Sequence, residues 1–270
     1  MPPLPPRRFI LALLLIAMAA GPAAAAGLQP LGIEDAALLR QDDGEFRAGL
    51  AYSSGLHLPF QGVDRTRRVW EAPTLRLAVG LGSRVEGQLL YNWMRVQETG
   101  QDTTWGSGDL LVAFKIRLLP PNDSGSAMAL RFATKFPNAD EKKDFGTDEA
   151  DIFTELLLSK DLGPMALHLN LGLAILGDPG ETTDGQDDLL KYAFGLRIPM
   201  GDSQGAFLLS AEGLDLGERT NKRGALLAGI QIPAGKWLWD IGGSLGYARN
   251  SEEWSVRSGL TLPFTLPDGS

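Results

Sequence analysis

The two histidines of the chain are the first residues to examine for catalytic chemistry. His57 lies in a long connection, whereas His168 lies in an alternating segment with Asn170 two residues later. An imidazole activates a serine hydroxyl when the two side chains touch and a third polar group orients the ring. Ser159 and Ser210 lie on other alternating segments and could supply that hydroxyl. One hypothesis is a serine hydrolase centred on His168. The other, a structural hydrogen-bond network, is favoured because nothing in the sequence places a serine beside it.

Two connections are rich in carboxylates, which are the ligands that hard divalent cations prefer. Such a cation could bind alone or bridge to phosphate groups, but no ordered Asp-x-Asp-x-Asp-Gly loop occurs, so solvated acidic loops are predicted instead. The chain has no Cys, zinc spacing, phosphate loop or dinucleotide fingerprint, and we predict neither a metal site nor a cofactor. The two acidic groups are Asp140, Glu141, Asp144, Asp148, Glu149 and Asp151, and Asp178, Glu181, Asp184, Asp187 and Asp188.

A third set of candidates is basic and lies on the polar sides of the alternating segments. If these sides line water, the cations could favour anionic solutes through their field and their hydrogen bonds. Alternatively, Glu86, Glu155, Glu212 and Asp240 pair with them across a narrow space and stabilise the fold. The sequence leaves both interpretations open. The basic set comprises Lys115, Arg117, Arg131, Lys135, Lys191 and Arg197.

The elements that must position these residues are strands, because apolar and polar residues alternate with a period of two. Most of the predicted segments are about ten to twelve residues long, which exceeds an ordinary strand of about five or six and matches a tilted membrane strand. We predict twelve strands, at 44–54, 70–81, 84–95, 108–119, 127–137, 151–160, 165–176, 189–199, 205–214, 223–233, 236–247 and 254–264.

The connections and the polar faces together indicate a closed barrel. Long and short connections alternate, as expected where short turns face the periplasm and long loops face the cell exterior. The charged faces would be costly in a protein core but suit a watery lumen, which leaves the apolar faces to meet lipid. The predicted fold class is therefore an all-β antiparallel transmembrane barrel of about twelve strands. Aromatic residues near strand ends suit its interfacial girdles, namely Tyr52, Trp70, Trp93, Trp105, Trp254 and Phe264.

The two ends of the chain lie outside the predicted barrel, which spans residues 44–264. Arg7 and Arg8, the apolar run 9–20 and the alanines before Gly27 predict a signal peptide at residues 1–26. Residues 27–43 are expected to form a periplasmic segment or a short plug, with a short helix at 33–40. Removal of the signal peptide takes the net charge from −8 to about −10, and this acidity argues against nucleic acid as a partner.

The last predicted strand carries the spacing Gly259, Leu262, Phe264. It resembles the C-terminal signal that barrel-assembly machinery reads, although residues 265–270 extend beyond it. This resemblance implies that the assembly machinery is a partner of the chain.

Several short motifs together resemble an outer-membrane transporter family that is associated with the meta-pathway of phenol degradation. They are Pro30-Leu31, Glu34-Asp35-Ala36, Gly44-Glu45-Phe46, Gly106-Ser107-Gly108-Asp109 before Lys115, Thr134-Lys135-Phe136-Pro137, Phe145-Gly146-Thr147 before Asp151, and His168 with Asn170. The chain departs from the family pattern after Pro137, where Asn138-Ala139 replaces Thr-Gly. The resemblance implies a barrel with a transport role.

The sequence therefore predicts a channel in the cell outer membrane for passive movement of small solutes, hydrophobic or aromatic ones included. The expected partners are the lipid bilayer, lipopolysaccharide and the solute. The alternatives are an outer-membrane lipid hydrolase of the phospholipase or lipid A deacylase type, centred on His168, and a structural barrel with a blocked lumen. The residues predicted to line the lumen are Lys115, Arg117, Arg131, Lys135, Glu155, His168, Asn170, Lys191, Arg197, Glu212, Asp240 and Arg257.

Overall fold

The computed structural model describes residues 28, 31–56, 67–98, 100–140, 145–177, 186–201, 205–215 and 222–267. The predicted signal peptide and His57 lie outside these residues. The described chain forms one antiparallel sheet of thirteen strands. The strands are β1 (Asp43–Leu56), β2 (Arg67–Gly80), β3 (Val85–Glu98), β4 (Thr104–Ser107), β5 (Leu110–Leu119), β6 (Ser126–Phe136), β7 (Asp151–Asp161), β8 (Ala166–Gly177), β9 (Gln186–Pro199), β10 (Ala206–Asp215), β11 (Arg223–Ala234), β12 (Trp237–Gly246) and β13 (Trp254–Thr265).

The sheet closes on itself because β1 pairs with both β2 and β13. β4 and β5 both pair with β3 and are two parts of one barrel strand, interrupted at residues 108 and 109. The molecule is thus a closed antiparallel barrel of twelve strands, which confirms the predicted fold class. In the described residues every strand except the short β4 has a paired neighbour on both sides, and lipid requires such pairing of a sheet.

The predicted alternation of faces holds along the barrel strands. On β5, Phe114 is 47% exposed on the outside, whereas its neighbours Ala113 and Lys115 are buried on the inside. On β8, Leu171 and Leu173 are exposed outside, and Asn170 is buried inside. Apolar side chains therefore cover the outer surface, and the polar side chains of the strands point into the barrel together with some apolar ones.

One strand departs from this alternation. β2 has one more residue than either neighbour between Glu71 and Thr74, so that Ala72 and Pro73 form a bulge. A bulge of this kind shifts the side-chain parity by one residue. As a result, Glu71 on one side of the bulge and Arg76 on the other both point inward. The sequence pattern did not predict this shift.

The connections sort onto two rims. The long-loop rim has the connections 57–66, 99–103, 137–150, 178–185, 216–222 and 247–253, and the short-turn rim has 81–84, 120–125, 162–165, 200–205 and 235–236. β1 begins and β13 ends at the short-turn rim. The connection 99–103 is shorter than predicted, because β3 continues to Glu98 and β4 begins at Thr104.

The chain before β1 is not helical in the described residues 31–42, so the predicted helix at 33–40 is wrong. Two of its backbone amides donate to side chains of the barrel. The amide of Ala36 donates to Ser159 Oγ at 3.0 Å, and the amide of Leu39 donates to Glu86 Oε2 at 2.9 Å. The described residues contain no helix that is long and apolar enough to span a membrane.

Candidate functional site

The lumen is the candidate functional site, because polar side chains from both halves of the chain converge there. Of the residues predicted to line it, half are almost completely buried inside the barrel, namely Lys115, Arg131, Glu155, His168, Asn170 and Asp240. The other six are half-buried. Arg117 donates to Ser83 O at the short-turn rim, at 2.6 Å, and Lys135 lies near the long-loop rim.

The Lys and Arg side chains that were predicted to line the lumen form a basic wall, and most of them are paired with acidic side chains. Arg131 Nη1 lies 2.7 Å from Glu155 Oε2, because β6 and β7 place the two residues opposite each other. Lys191 Nζ lies 2.6 Å from the other oxygen of Glu155, and Lys115 Nζ lies 3.3 Å from Glu86. For these three cations, the structure contains the ion pairs that the sequence analysis gave as one of two interpretations.

The opposite wall carries ion pairs that sequence reasoning missed. Arg47 on β1 makes a two-pronged contact with Asp240 on β12, at 2.9 and 2.6 Å. Arg76 lies 3.2 Å from Glu34 of the N-terminal segment and 3.8 Å from Glu45. Arg47 was identifiable from its alternation on β1, whereas Arg76 points inward only because of the β2 bulge.

The N-terminal segment, residues 28 and 31–42, lies inside the barrel. Leu28, Leu31 and Ile33 are buried and pack on an apolar part of the inner wall. Ala36 packs on a second inner cluster. These clusters place apolar wall residues inside the barrel, namely Ala193, Ala206, Leu208, Ala225 and Leu227 in the first, and Ala127, Ala129 and Leu157 in the second.

Polar contacts also hold the segment in place. Lys115 Nζ donates to the backbone oxygen of Asp35 at 3.1 Å, and Gln88 Nε2 donates to Glu34 at 3.3 Å. Burial alone would raise the pKa of Glu34, but the positive charges of Arg76, Arg131 and Lys115 lower it to about 2. Glu34 is therefore ionised at neutral pH and is held by the cations of the wall.

His168 and Ser159 meet at the point where the segment docks. They are opposite each other on β8 and β7, and Ser159 Oγ lies 2.9 Å from His168 Nδ1. Ser159 Oγ donates to Asp35 at 2.7 Å and also accepts the amide of Ala36. Of the two serines that the hydrolase hypothesis named, the structure thus brings Ser159 beside His168. Ser210 lies on β10, and the described contacts do not place it with them.

This arrangement differs from a catalytic triad in one respect. In a triad the carboxylate contacts one ring nitrogen and the serine contacts the other. Here Asp35 Oδ1 lies 3.7 Å from Nδ1, the nitrogen that already contacts Ser159, and the buried Nε2 has no hydrogen-bond partner among the described residues. The serine oxygen is engaged by three groups, so the cluster fastens the segment and does not present a free nucleophile.

The long-loop end of the lumen is narrowed by the connection 137–150. Phe145 is buried against Val69 and Val96 and lies over Gly106, where a β-carbon would collide with the phenyl ring. Lys135 Nζ lies 2.7 Å from Asp151 at the end of the same connection. Part of this loop therefore folds inward over β2–β4.

Among the described residues, two cavities with charged side chains in their lining lie in the lumen. The β2 cavity has a volume of about 290 Å³, and the β10 cavity has a volume of about 280 Å³. Arg257 lines both of them. The other charged residues are Arg47, Glu71, Arg76 and Asp109 in the β2 cavity, and Lys191, Glu212, Arg223 and Glu252 in the β10 cavity.

No group of three or more His, Asp or Glu side chains that could hold a metal ion occurs in the described ranges. Residues 141–144 and 178–185 of the acidic connections are not among them. The outer surface shows Trp70, Trp93, Trp105 and Trp254 exposed near the long-loop rim, as the girdle prediction requires, whereas Phe264 is buried with its ring over Gly44.

The fold is similar to that of solved outer-membrane barrels. An outer-membrane channel of Pseudomonas putida F1 has a TM-score of 0.71 at 15% identity and covers 87% of this chain and 100% of its own. The CymD monoaromatic hydrocarbon channel reaches 0.49 at 9% identity, over 94% and 98% of the two chains. The translocator domain of the autotransporter NalP from Neisseria meningitidis reaches 0.48 at 12%, over 97% and 96%. The last two likenesses are too weak to add to the argument.

No protein-family model matches the sequence, and no curated protein does. Membership of the phenol-pathway transporter family therefore stays a prediction. The likeness to the Pseudomonas channel shows the fold. A closed barrel with an apolar outer face satisfies the backbone groups of its strands in lipid, and this architecture locates the protein in the outer membrane.

Proposed function

We propose that the protein is a passive channel of the outer membrane for small solutes, and that its own N-terminal segment narrows the passage. The observation that carries the proposal is the division of the lumen. The segment fills its middle and its short-turn half, while two polar cavities stay open in the remainder. A lumen built only for stability has no need of such space.

The size and lining of the cavities support small solutes. Volumes of about 290 and 280 Å³ lie near the lower end of the range for small-molecule sites, which begins at about 300 Å³. Their charged lining favours solutes that can hydrogen-bond. Passage of hydrophobic or aromatic solutes, which the sequence analysis included among the small solutes, stays a prediction for the same assay.

The hydrolase alternative is favoured by one observation, the contact between Ser159 and His168. It requires a lipid to reach a hydroxyl that lies inside the barrel and is engaged by the N-terminal segment. We therefore assign the pair to docking. Replacement of His168 by Ala separates the two roles, because a hydrolase loses phospholipid and lipid A turnover, whereas a channel keeps its solute flux.

The blocked-barrel alternative is favoured by the segment itself. It predicts that neither the whole protein nor a variant without the segment passes solute. The proposed partners of either barrel are the bilayer, lipopolysaccharide and the assembly machinery that reads β13.

The test is solute flux into proteoliposomes. Liposomes that contain the protein should swell faster in an isotonic pentose or glycine solution than empty liposomes do, and those with the His168→Ala variant should swell equally fast or faster. Swelling no faster than that of empty liposomes, in both preparations and in a variant lacking residues 27–42, would contradict the proposed function.

A further inference from the structure

Arg257 occupies a singular place among the described lumen residues, because its side chain lines both open cavities. β13 lies between β1 and β12 in the barrel wall, so a side chain from its inner face separates the two spaces. Ser255 and Thr261 share that face and are buried.

Two other cations that line the β2 cavity are held by carboxylates. Arg47 is bound by both oxygens of Asp240, and Arg76 is bound by Glu34 and Glu45. Their charge is balanced at short range, which limits their field in the cavities.

Arg257 balances acids on both sides of the divide. It interacts electrostatically with Glu71, which lines the β2 cavity, and with Glu212, which lines the β10 cavity. Loss of Arg257 would leave both carboxylates facing the passage without that cation. Fixed charges that line a passage influence which mobile ions enter it.

We propose that Arg257 is the specificity-determining residue of the passage, and that it prevents the acids of the two cavities from making the lumen cation-selective. The inference rests on the proposed channel function. It assigns the charge preference to the side chain that lines both cavities rather than to Lys115 of β5 and Arg131 of β6, which line neither cavity.

The experiment is the reversal potential of single channels in a tenfold KCl gradient. The Arg257→Gln variant should raise the ratio of potassium to chloride permeability about threefold or more, and Arg257→Lys should leave it near that of the natural protein. Arg249→Gln, which removes the same charge from an exposed loop position outside both cavities, is the matched control and should leave the ratio unchanged.

Chemical modification compares two opposite charges in the same folded variant, so this comparison does not depend on how different variants fold. The chain has no cysteine, so Arg257→Cys introduces a single thiol. A methanethiosulfonate reagent forms a mixed disulfide with this thiol and releases a sulfinate. An ethylammonium reagent should return the reversal potential towards that of the natural protein, and an ethylsulfonate reagent should move it further towards cations.

Equal permeability ratios for the natural protein and Arg257→Gln, or equal responses to the two reagents, would overturn the role of Arg257 and leave the channel function standing. Absence of conductance in the natural protein and in a variant lacking residues 27–42 would instead overturn the proposed function. The two failures are therefore distinguishable.

Discussion

Ser159 Oγ lies 2.9 Å from Nδ1 of His168, and the two side chains, on adjacent strands, meet the N-terminal segment at Asp35 and Ala36. The contact is one that a search for catalytic residues would select. Its surroundings give it another role, because each hydrogen-bonding direction of the hydroxyl is used by the segment or by the imidazole. The pair is part of the interface between the barrel and its own N-terminal segment.

Ser159→Ala should loosen the segment without affecting any lipid turnover. The amide of Ala36 loses its acceptor and the carboxylate of Asp35 loses one of its donors, which costs about 1 kcal/mol of docking free energy and raises the undocked fraction about fivefold. The measurement is the share of time that single channels spend in a higher-conductance state. Ser210→Ala is the matched control, since the buried Ser210 Oγ has no hydrogen-bond partner in the described structure. Equal shares in both variants would refute the docking role.

Glu155→Gln should destabilise the barrel more than any change to an exposed acid. Glu155 is 2% exposed and neutralises Arg131 at 2.7 Å and Lys191 at 2.6 Å. Removal of one partner from a buried pair costs about 3–5 kcal/mol of unfolding free energy. Because Lys191 is more exposed than Arg131, we expect a loss at the lower end of this range. Urea unfolding in lipid vesicles measures this loss.

Glu149→Gln is the control for that experiment, because it makes the same chemical change on an exposed loop. Its free energy of unfolding should stay within about 0.5 kcal/mol of that of the natural protein. If the Glu155 and Glu149 variants unfold at the same urea concentration, the ion pairs do not carry the stability that we assign to them.

Acidification should release the segment only at low pH. Glu34 has a pKa of about 2 when docked, against an ordinary value of 4.5, so its contribution is complete above pH 4.5 and is lost as the pH falls through 2. Conductance should therefore stay constant from pH 7 to 5 and change towards pH 2. In Glu34→Gln this acid-dependent change should be much smaller. A change of equal size in both proteins would show that another group controls docking.

An arginine on the outer face should be costly at mid-strand and tolerated at a rim. Leu171 lies in the middle of β8 and is 41% exposed, while Leu162 lies in a short turn and is 47% exposed. Arginine at the bilayer midplane costs about 2–4 kcal/mol, and near the interface about 0–1 kcal/mol. Unfolding free energies of Leu171→Arg and Leu162→Arg in vesicles measure the difference. Equal costs would mean that Leu171 does not face hydrocarbon.

The strands were predictable from the sequence because their length and alternation are local properties. All twelve predicted segments correspond to barrel strands, and most boundaries agree within about three residues. Two irregularities hide part of the alternating pattern, and they are local as well. The bulge at Ala72–Pro73 shifts the side-chain parity of β2. The interruption at Gly108–Asp109 divides one strand into β4 and β5.

The interior of the site was not predictable to the same degree, because its contacts join distant parts of the chain. Ala36 and Ser159 are 123 residues apart, and Arg47 and Asp240 are 193 apart. The residue pattern at 33–40 is typical of a helix. It carries no information about the barrel side chains that accept hydrogen bonds from its amides. Likewise, the pairing of Arg131 with Glu155 depends on the register of β6 and β7, which alternation alone does not determine.

The central claim, that the N-terminal segment fills part of a water-lined passage, is tested most directly by single-channel recording in planar bilayers. We predict small, stable conductance steps for the natural protein and steps several times larger for a folded variant lacking residues 27–42. Equal conductance of the two proteins, or none from either, would contradict the account.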